Sequence, residues 1–442
     1  MPAAVAGPFD HRCPVKIVIV GNGVAGVTCA MTARQRDPHA EITIVSGETD
    51  YFFSRTALMY AFMDRMNRRD LEPYERKVYA EQRINLVRDW VTDHQTATRT
   101  VHLSSGATLP YDKLVFALGA TPNRFGWEGI NDVKDGLVHF VSMQDLDACE
   151  RLTPSTREAV VVGGGLIGIE LVESLLHHGV KVTFLIREPY YWPMALAREE
   201  ADIVTAQLKT HGVDVRYAEE MKKIEVDAAG RVSGILTNKG DSIPCQMLGI
   251  CVGVRPSIDR LKAFTDAPQL SRGVVVDETL QTSIPDVFAC GDCAEIQPAE
   301  GRSYVEMIWY SAKRQGRHVA ANLFGDQLRY APPVFFNSSK FFEVEYTTVG
   351  EVMTLPEGTP TIFRAHPTKP ICQRILHNGD RVLGFNLLGS RWNHELLERW
   401  VRERRSPEWV VAHLAEAQFD VEFGRADLAA CSQKNLPLKK EL

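Results

Sequence analysis

At 442 residues the chain is too long for a single hydrophobic core, so we expect two or three domains. Its formal net charge of −6 provides no basic surface of the kind that binds nucleic acid. No apolar run has the length of a membrane span, and residues 1–13 lack the features of a secretory signal, so the sequence predicts a cytoplasmic protein. The cysteines, nine in number and scattered, argue against a disulfide framework.

The first predicted elements are a strand, a glycine-rich turn and a helix. An apolar run at 15–20 predicts a buried strand, and the helix continues to about residue 36. In such a unit the first glycine allows a tight turn, the second lets a pyrophosphate approach the backbone, and the third lets the helix lie close to the strand. The free N–H groups of the helix then face the phosphates. The residues of this predicted nucleotide site are Gly21, Gly23, Val24, Ala25 and Gly26.

Further along the chain, a strand is predicted at 41–45 and a polar, aromatic segment begins at residue 51. Short strands follow around 84–91 and 99–103, and the stretch YDKLVFALGATP at 111–122 predicts a strand that ends in a glycine turn.

The segment 159–186 repeats the strand, glycine turn and helix pattern closely. It predicts a second nucleotide site with the same arrangement of residues, namely Gly163, Gly165, Leu166, Ile167 and Gly168. Beyond it we expect an apolar strand at 248–256 and a helix at 309–325. Aromatic strands are predicted from residue 332 and a charge-rich helical tail from about residue 391.

Together these segments resemble the FAD-dependent pyridine nucleotide-disulfide oxidoreductases, and among them the ferredoxin, rubredoxin and nitrite reductase branch that lacks the redox-active disulfide. The resemblance implies an α/β fold with two Rossmann-like dinucleotide-binding domains, as in glutathione reductase, plus an α+β C-terminal domain. It also implies FAD in the first glycine turn and NAD(P)H in the second. The implied bounds are 14–125 with 254–330 for the FAD-binding domain, 126–253 for the NAD(P)-binding domain and 331–442 for the C-terminal interface domain.

Several segments match the family's other FAD-binding motifs. The stretch PDVFACGDCAE resembles the second FAD motif, in which Gly291 precedes Asp292 and the aspartate bonds a ribityl hydroxyl. Turns at Ala117 to Gly119 and at Gly253 resemble the two crossovers between domains, with Leu118 in place of the usual threonine. The resemblance assigns Val91 to the adenine and Glu48 to the FAD ribose, although Ser46 occupies the usual acidic position. Each assignment has an alternative interpretation. Asp292 could cap the next helix, Val91 could be an ordinary hairpin residue, and Glu48 could be a solvated surface residue.

The segment that carries the redox cysteine in disulfide reductases contains none at 51–60. Cys290 and Cys293 form a C-x-x-C pair around Asp292, which is interpreted as small-residue packing, with a redox role as the alternative. The branch resemblance assigns Arg55 to the flavin and Glu170 to an ion pair, but Tyr60 stands where the partner lysine is usual. It also assigns Trp309 to the flavin and nicotinamide, with core packing as the alternative.

The predicted strand at the end of the repeated segment 159–186 leads into the residues expected to recognise the adenosine ribose of the nicotinamide nucleotide. Ile186 stands where an acid commonly accepts the 2′-hydroxyl of NADH. Arg187 follows in the position seen in NADPH-using glutathione reductases, while Pro193 replaces their second phosphate-binding arginine. We therefore favour NADPH slightly, with Glu188 as a ribose-binding alternative and a solvated turn as the third interpretation.

The predicted function is that of an FAD-dependent NAD(P)H oxidoreductase, in which a hydride passes from nicotinamide to flavin. The electrons then go to an unidentified acceptor, either a ferredoxin- or rubredoxin-like protein or a small molecule. An NAD(P)H oxidase or quinone reductase, and an NADH-responsive signalling protein resembling apoptosis-inducing factor, are the alternatives. The resemblance also suggests a homodimer through the C-terminal domain. The histidines, thirteen in all, show no metal-ligand spacing, so no metal is expected.

Overall fold

The computed structural model describes residues 14–440, and within that range it leaves out the side chains at 421–423 and 425. Residues 1–13, on which the secretory-signal prediction rests, and with them Cys13, lie outside the described residues. The chain divides into two compact units. The first comprises residues up to 54, 68–121 and 255–331, and the second comprises 55–67, 122–254 and 332–442.

The helices of the described residues are α1 (Val24–Arg36), α2 (Leu58–Phe62), α3 (Arg76–Glu81), α4 (Met143–Leu152), α5 (Leu166–His177), α6 (Arg198–Thr210), α7 (Trp309–Asn322), α8 (His394–Arg402), α9 (Pro407–His413) and α10 (Val421–Ala430). The strands before residue 190 are β1 (Lys16–Val20), β2 (Glu41–Val45), β3 (Ile84–Val87), β4 (Val91–Gln95), β5 (Thr100–Leu103), β6 (Thr108–Pro110), β7 (Lys113–Phe116), β8 (Ala120–Pro122), β9 (Leu137–Val138), β10 (Glu158–Val162) and β11 (Lys181–Ile186). The later strands are β12 (Asp214–Tyr217), β13 (Met221–Val226), β14 (Val232–Thr237), β15 (Ser242–Pro244), β16 (Met247–Ile250), β17 (Val254–Pro256), β18 (Val274–Val276), β19 (Val287–Ala289), β20 (Ala294–Ile296), β21 (Phe336–Phe341), β22 (Val344–Gly350), β23 (Pro360–Ala365), β24 (Cys372–His377), β25 (Val382–Leu388) and β26 (Ser432–Pro437).

The first unit is built on a parallel sheet with the strand order β19-β7-β1-β2-β3. Strand β1 lies in its centre, where four of its five residues are buried, as the continuous apolar run predicts. Val20 at its carboxyl end is in register with Val45 of β2 and Phe116 of β7. The turns that follow these strands therefore meet at one edge of the sheet, where ligands of doubly wound folds bind.

The second unit contains a parallel sheet of the order β12-β11-β10-β16-β9 and, in its C-terminal part, an antiparallel sheet of the order β21-β22-β25-β24-β23-β26. Strand β10 pairs in parallel with β11 and β16, so the second glycine turn has the same setting as the first. Buried side chains of β22, β23, β24 and β25 pack with α8 and α9 in one core. The C-terminal sheet is accordingly covered on one face by the predicted helical tail.

Two details differ from the sequence predictions. The strand expected at 248–256 is divided into β16 and β17, because Gly253 between them has a φ of +89°, which an extended strand does not tolerate. The charge-rich tail does not end in a helix. It ends in β26, which pairs antiparallel with β23 at the edge of the C-terminal sheet. Polar residues such as Gln433 and Lys434 suit an exposed edge strand, and this is why the pattern of apolar residues does not reveal it.

Among the described residues, the structure contains no helix with the length and apolar character of a membrane span.

Residues 332–442 belong to the same compact unit as residues 122–254. The expected division of the second unit into NAD(P)-binding and C-terminal domains at residue 331 stays a prediction.

Candidate functional site

The first glycine turn joins β1 to α1. Gly21 has a φ of +113°, and a Cβ at this position would lie 2.1 Å from the carbonyl oxygen of Ala117. A Cβ at Gly26 would lie 2.1 Å from the carbonyl oxygen of Gly21, so the helix and the turn are as close as two backbones allow. At Gly23, by contrast, no described atom lies within 4 Å of such a Cβ, apart from its chain neighbours. The chain thus leaves open the space before α1, whose first N–H groups have no side-chain cap, and this fits a bound pyrophosphate.

The second glycine turn, between β10 and α5, repeats this geometry. Gly163 has a φ of +112°, and its Cβ would lie 2.3 Å from the carbonyl oxygen of Cys251. A Cβ at Gly168 would lie 2.2 Å from the carbonyl oxygen of Gly163, whereas the space around Gly165 is open among the described atoms. Helix α5 also begins without a side-chain cap, and Leu166 and Ile167 are its first two residues. The second turn therefore fits a pyrophosphate as well as the first does.

A polar network fixes the turn after β2 beside the first glycine turn. Asn22 donates from Nδ2 to the carbonyl oxygen of Thr49 at 2.7 Å and accepts from Ser46 Oγ at 2.9 Å. Ser46 Oγ in turn accepts from the backbone N–H of Glu48 at 3.3 Å. The serine that replaces the usual acid thus orders the turn that carries Glu48. The sequence reasoning missed Asn22, which stands at the variable position of the motif.

The turn at Gly291, which precedes Asp292, is held by α7. Gly291 has a φ of +76°, and its N–H donates to Oε1 of Gln315 at 2.8 Å. A Cβ at Gly316 would lie 2.4 Å from the carbonyl oxygen of Ala25, so α7 packs directly on α1. Helix α7 therefore connects the two FAD motifs of the first unit. Gln315 lies 24 residues from its partner, a separation that local pattern analysis does not bridge.

The C-x-x-C cysteines are packed inside the first unit. Cys290 and Cys293 are both buried, and Cys293 Sγ accepts from the N–H of Leu118 at 3.3 Å. Burial raises the pKa of Cys293 to about 12 and the pKa of Cys290 well above its ordinary value. At neutral pH both side chains are thiols, which are poor nucleophiles.

Trp309, the first residue of α7, is partly buried and stacks on Phe52 with 5.7 Å between the ring centroids. Val91 is buried at the start of β4, opposite Leu103 of β5. Within the chain, Trp309 makes the contacts of a packed aromatic residue and Val91 makes those of an ordinary hairpin residue. The predicted contacts with a cofactor stay predictions.

Both crossover turns adopt the left-handed backbone conformation that glycine permits. Gly119 has a φ of +68°, and its carbonyl oxygen accepts from Ser257 N at 3.0 Å. Gly253 has a φ of +89°, and its carbonyl oxygen accepts from Asn123 N at 3.0 Å. Each turn is thus fixed by a backbone hydrogen bond from a distant segment of the chain.

A lysine of the C-terminal sheet lies near Glu170. Lys340 Nζ lies 2.5 Å from Oε1 of Glu173, one turn beyond Glu170 on α5, and 5.9 Å from the ring centroid of Tyr60. Burial raises the pKa of Glu170 to about 8, with Glu173 adding to the shift and Lys340 opposing it. Lys340 of β21 thus pairs with Glu173 and acts on Glu170 through its charge, while the predicted ion pair of Glu170 stays a prediction. Arg55, in the same unit, donates a hydrogen bond to the carbonyl oxygen of Val141.

The residues that close β11 pair with each other. Arg187 Nε lies 2.8 Å from Oε1 of Glu188, and the arginine side chain is 72% exposed. The hydrogen bond to Glu188 raises the pKa of Arg187. Because the guanidinium is largely exposed, its pairing with Glu188 contributes little stability, and Arg187 is able to turn toward a bound nucleotide.

Comparisons with known proteins agree with this geometry. The family model described as pyridine nucleotide-disulphide oxidoreductase matches residues 15–316. The 5,5′-dehydrodivanillate O-demethylase ferredoxin reductase subunit of a Sphingobium species is 30% identical over 75% of this chain and 81% of its own. The nitrite reductase of Bacillus subtilis is 26% identical over 85% of this chain, which spans only 46% of that protein. A chain of the covalent putidaredoxin reductase-putidaredoxin complex has a TM-score of 0.80, at 24% identity over 90% of this chain and 96% of its own.

The chain belongs to the pyridine nucleotide-disulphide oxidoreductase family. Within it, the protein is an FAD-dependent NAD(P)H oxidoreductase with FAD and NAD(P)H as cofactors, as the sequence predicts. The predicted fold class, two Rossmann-like domains and a C-terminal α+β part, is confirmed as well. The roles of individual site residues stay predictions.

Proposed function

We propose that the protein passes electrons from a nicotinamide nucleotide to a small ferredoxin- or rubredoxin-like protein without a dithiol relay. The observation that carries this proposal is the state of the thiols. Of the eight cysteines in the described residues none forms a disulfide, and all but Cys431 are buried. Ferredoxin reductase and rubredoxin reductase relatives support the same acceptor class.

The chain's own residues bind and orient the cofactors. The FAD would be held by Gly21, Gly23, Val24, Ala25, Gly26, Glu48, Val91, Ala117, Gly119, Gly291 and Asp292, and the NAD(P)H by Gly163, Gly165, Leu166, Ile167, Gly168, Arg187 and Glu188. Gly253, at the second crossover, is a further proposed cofactor-binding residue. Arg55, Glu170 and Trp309 are the proposed catalytic residues, and Arg55 and Glu170 are also proposed to contact a cofactor. When bound, FAD supplies the chemistry that links a two-electron hydride donor to a one-electron acceptor. The protein's contribution is positioning, which supplies much of the rate in such reactions. A homodimer through the C-terminal part and a cytoplasmic location stay predictions.

The test mixes the FAD-loaded protein with NADPH or NADH under anaerobic conditions in the presence of a [2Fe–2S] ferredoxin or a rubredoxin. We expect reduction of at least one of these proteins. The double variant Cys290→Ser, Cys293→Ser is expected to keep the rate within a few-fold, because both thiols are buried and protonated. The measurement is the absorbance change of the acceptor in a stopped-flow instrument.

Three other results would contradict this proposal. Loss of acceptor reduction in the serine variant, with FAD still bound, would show that the C-x-x-C pair takes part in electron transfer. Rapid NAD(P)H oxidation in air, with no reduction of either protein, would favour an oxidase or quinone reductase. Slow turnover with a conformational response to NADH would favour a signalling protein.

A second prediction concerns the choice of nucleotide, for which we propose a slight preference for NADPH. A charge-assisted contact between Arg187 and the 2′-phosphate is worth about 1.5–3 kcal/mol, so Arg187→Ala should weaken NADPH binding about tenfold to a hundredfold and barely change NADH binding. Titration of the wild type and the variant with NADP⁺ and NAD⁺ measures this directly. If the variant lost affinity for both nucleotides equally, or for neither, Arg187 would not recognise the 2′-phosphate. Glu188 would then be the better candidate for contact with the ribose.

A further inference from the structure

The segment 187–197, which connects β11 to α6, lies against the C-terminal sheet of the same unit. Tyr191 and Trp192 meet Phe341 of β21 edge to face, with centroid distances of 5.6 and 6.5 Å. Trp192 also meets Tyr346 of β22 at 5.7 Å. Edge-to-face pairs at such distances contribute beyond the apolar area they bury. The C-terminal sheet and this segment therefore share one aromatic cluster.

Two hydrogen-bonded contacts hold the same segment from its other end. Asn386 of β25 donates from Nδ2 to the carbonyl oxygen of Ala195 at 2.6 Å. Arg374 of β24 donates to Oε1 of Glu200 at 3.0 Å, and Oε2 of Glu200 accepts from the N–H of Ala197 at 2.6 Å. Glu200 and Arg374 are almost completely buried. Strands of the sheet thus fix both the carbonyl oxygen at 195 and the start of α6.

The strained backbone at Trp192 indicates that these contacts hold the segment in its observed conformation. Trp192 has a φ of +51°, a conformation that bulky residues rarely adopt and that persists only where surrounding contacts impose it. Its carbonyl oxygen accepts from the N–H groups of Ala195 and Leu196, each at 3.0 Å. The tight turn at 192–196 is accordingly a shape that the aromatic cluster stabilises.

The segment also contacts the second glycine turn. Tyr191, which is completely buried, donates from its hydroxyl to the carbonyl oxygen of Gly165 at 3.4 Å. Gly165 is the glycine beside which the chain leaves room for a pyrophosphate. The segment begins at Arg187, the residue proposed to read the nucleotide. A continuous set of contacts therefore runs from the C-terminal sheet to both parts of the proposed nucleotide site.

We propose that the C-terminal sheet positions segment 187–197 for the nicotinamide nucleotide, with Phe341 and Tyr191 as positioning residues. This inference rests on the proposed assignment of the second glycine turn to NAD(P)H. A segment already held in its binding conformation loses less entropy when the ligand binds, so loosening it lowers affinity without removing a ligand contact. FAD binding, which we assign to the first unit, is independent of these contacts.

The test compares Phe341→Leu with Phe385→Leu in the FAD-loaded protein. Both phenylalanines are completely buried in the C-terminal sheet, but Phe385 packs on Trp400 of α8 instead of on the segment. We expect both variants to lower the melting temperature by similar amounts and to keep a full complement of FAD. Only Phe341→Leu should weaken the binding of NADP⁺ and NAD⁺, by about threefold to tenfold, as measured by calorimetric titration.

Tyr191→Phe provides a second variant that keeps the ring and removes only the hydroxyl. We expect it to weaken nucleotide binding about twofold to tenfold with little change in melting temperature. The inference would be overturned if Phe341→Leu and Phe385→Leu bound the nucleotides with equal affinity. It would also be overturned if Phe341→Leu and Tyr191→Phe both kept the wild-type affinity, and either result would leave the proposed function intact. A wild-type protein that binds FAD but neither nucleotide would overturn both.

Discussion

Gly23→Ala is expected to give a folded protein that has lost most of its FAD. The backbone at Gly23 is extended, with a φ of −70°, so alanine fits it without strain, and no described atom lies within 4 Å of the new Cβ beyond the chain neighbours. The methyl group instead enters the space proposed for the pyrophosphate. Overpacking of this kind costs about 1–3 kcal/mol, which is roughly a tenfold to hundredfold loss of affinity. Visible absorbance per protein, measured after gel filtration, reports the bound flavin.

Gly165→Ala is the matched variant in the second turn. Its backbone is also free of strain and the space around it is also open. We expect this protein to keep its yellow colour and to lose nucleotide binding by a similar factor. Gly21→Ala is the contrasting control, because its Cβ would lie 2.1 Å from the carbonyl oxygen of Ala117 and must disturb the fold itself. Full flavin content in Gly23→Ala, or loss of flavin in Gly165→Ala, would contradict the assignment of the two turns.

The sequence predicts the features of this protein that depend on neighbours close in the chain. Gly21, Gly23 and Gly26 act over six residues, and the tight geometry found there follows from their spacing. The break at Gly253 within an apolar run was less evident, because an apolar pattern does not distinguish one strand from two short strands. Local patterns therefore give the two nucleotide turns and most of the strands.

The parts that the sequence does not reveal depend on contacts between distant segments. Lys340 reaches Glu173 across 167 residues, and Asn386 reaches Ala195 across 191 residues. Neither Lys340 nor Asn386 belongs to a motif, and from the sequence alone each is equally well interpreted as an ordinary polar residue of a surface strand. The ion pair near Glu170 and the support of segment 187–197 thus become visible only once the C-terminal sheet is placed.

Arg374→Met should produce a large loss of stability. Arg374 is 1% exposed and its guanidinium contacts Glu200 at 3.0 Å, Glu199 at 2.7 Å and the hydroxyl of Thr361 at 2.9 Å. Removing one partner of a buried ion pair leaves the other charge without compensation, which costs about 3–5 kcal/mol. Urea denaturation at neutral pH should show a decrease of this size in the free energy of unfolding.

The pH dependence of that loss follows from Glu200. Burial raises the pKa of Glu200, and Arg374 opposes the shift, so the pKa should rise further in Arg374→Met. A raised folded-state pKa means that the stability present below the unfolded-state pKa is lost as the pH rises toward the folded value. The variant should therefore be least destabilised near the ordinary pKa of a glutamate and most destabilised at alkaline pH.

Two further variants separate the buried charge from simple loss of packing. The double variant Arg374→Met, Glu200→Gln removes the uncompensated charge, so it should recover much of the lost stability and remove most of the pH dependence. Arg391→Met is the matched control in the same unit, because Arg391 also pairs with a glutamate, at 3.0 Å, but is 73% exposed. Screening by solvent limits such a pair to about 1 kcal/mol. If Arg374→Met were no more harmful than Arg391→Met at every pH, the buried pair would not stabilise the junction between α6 and β24.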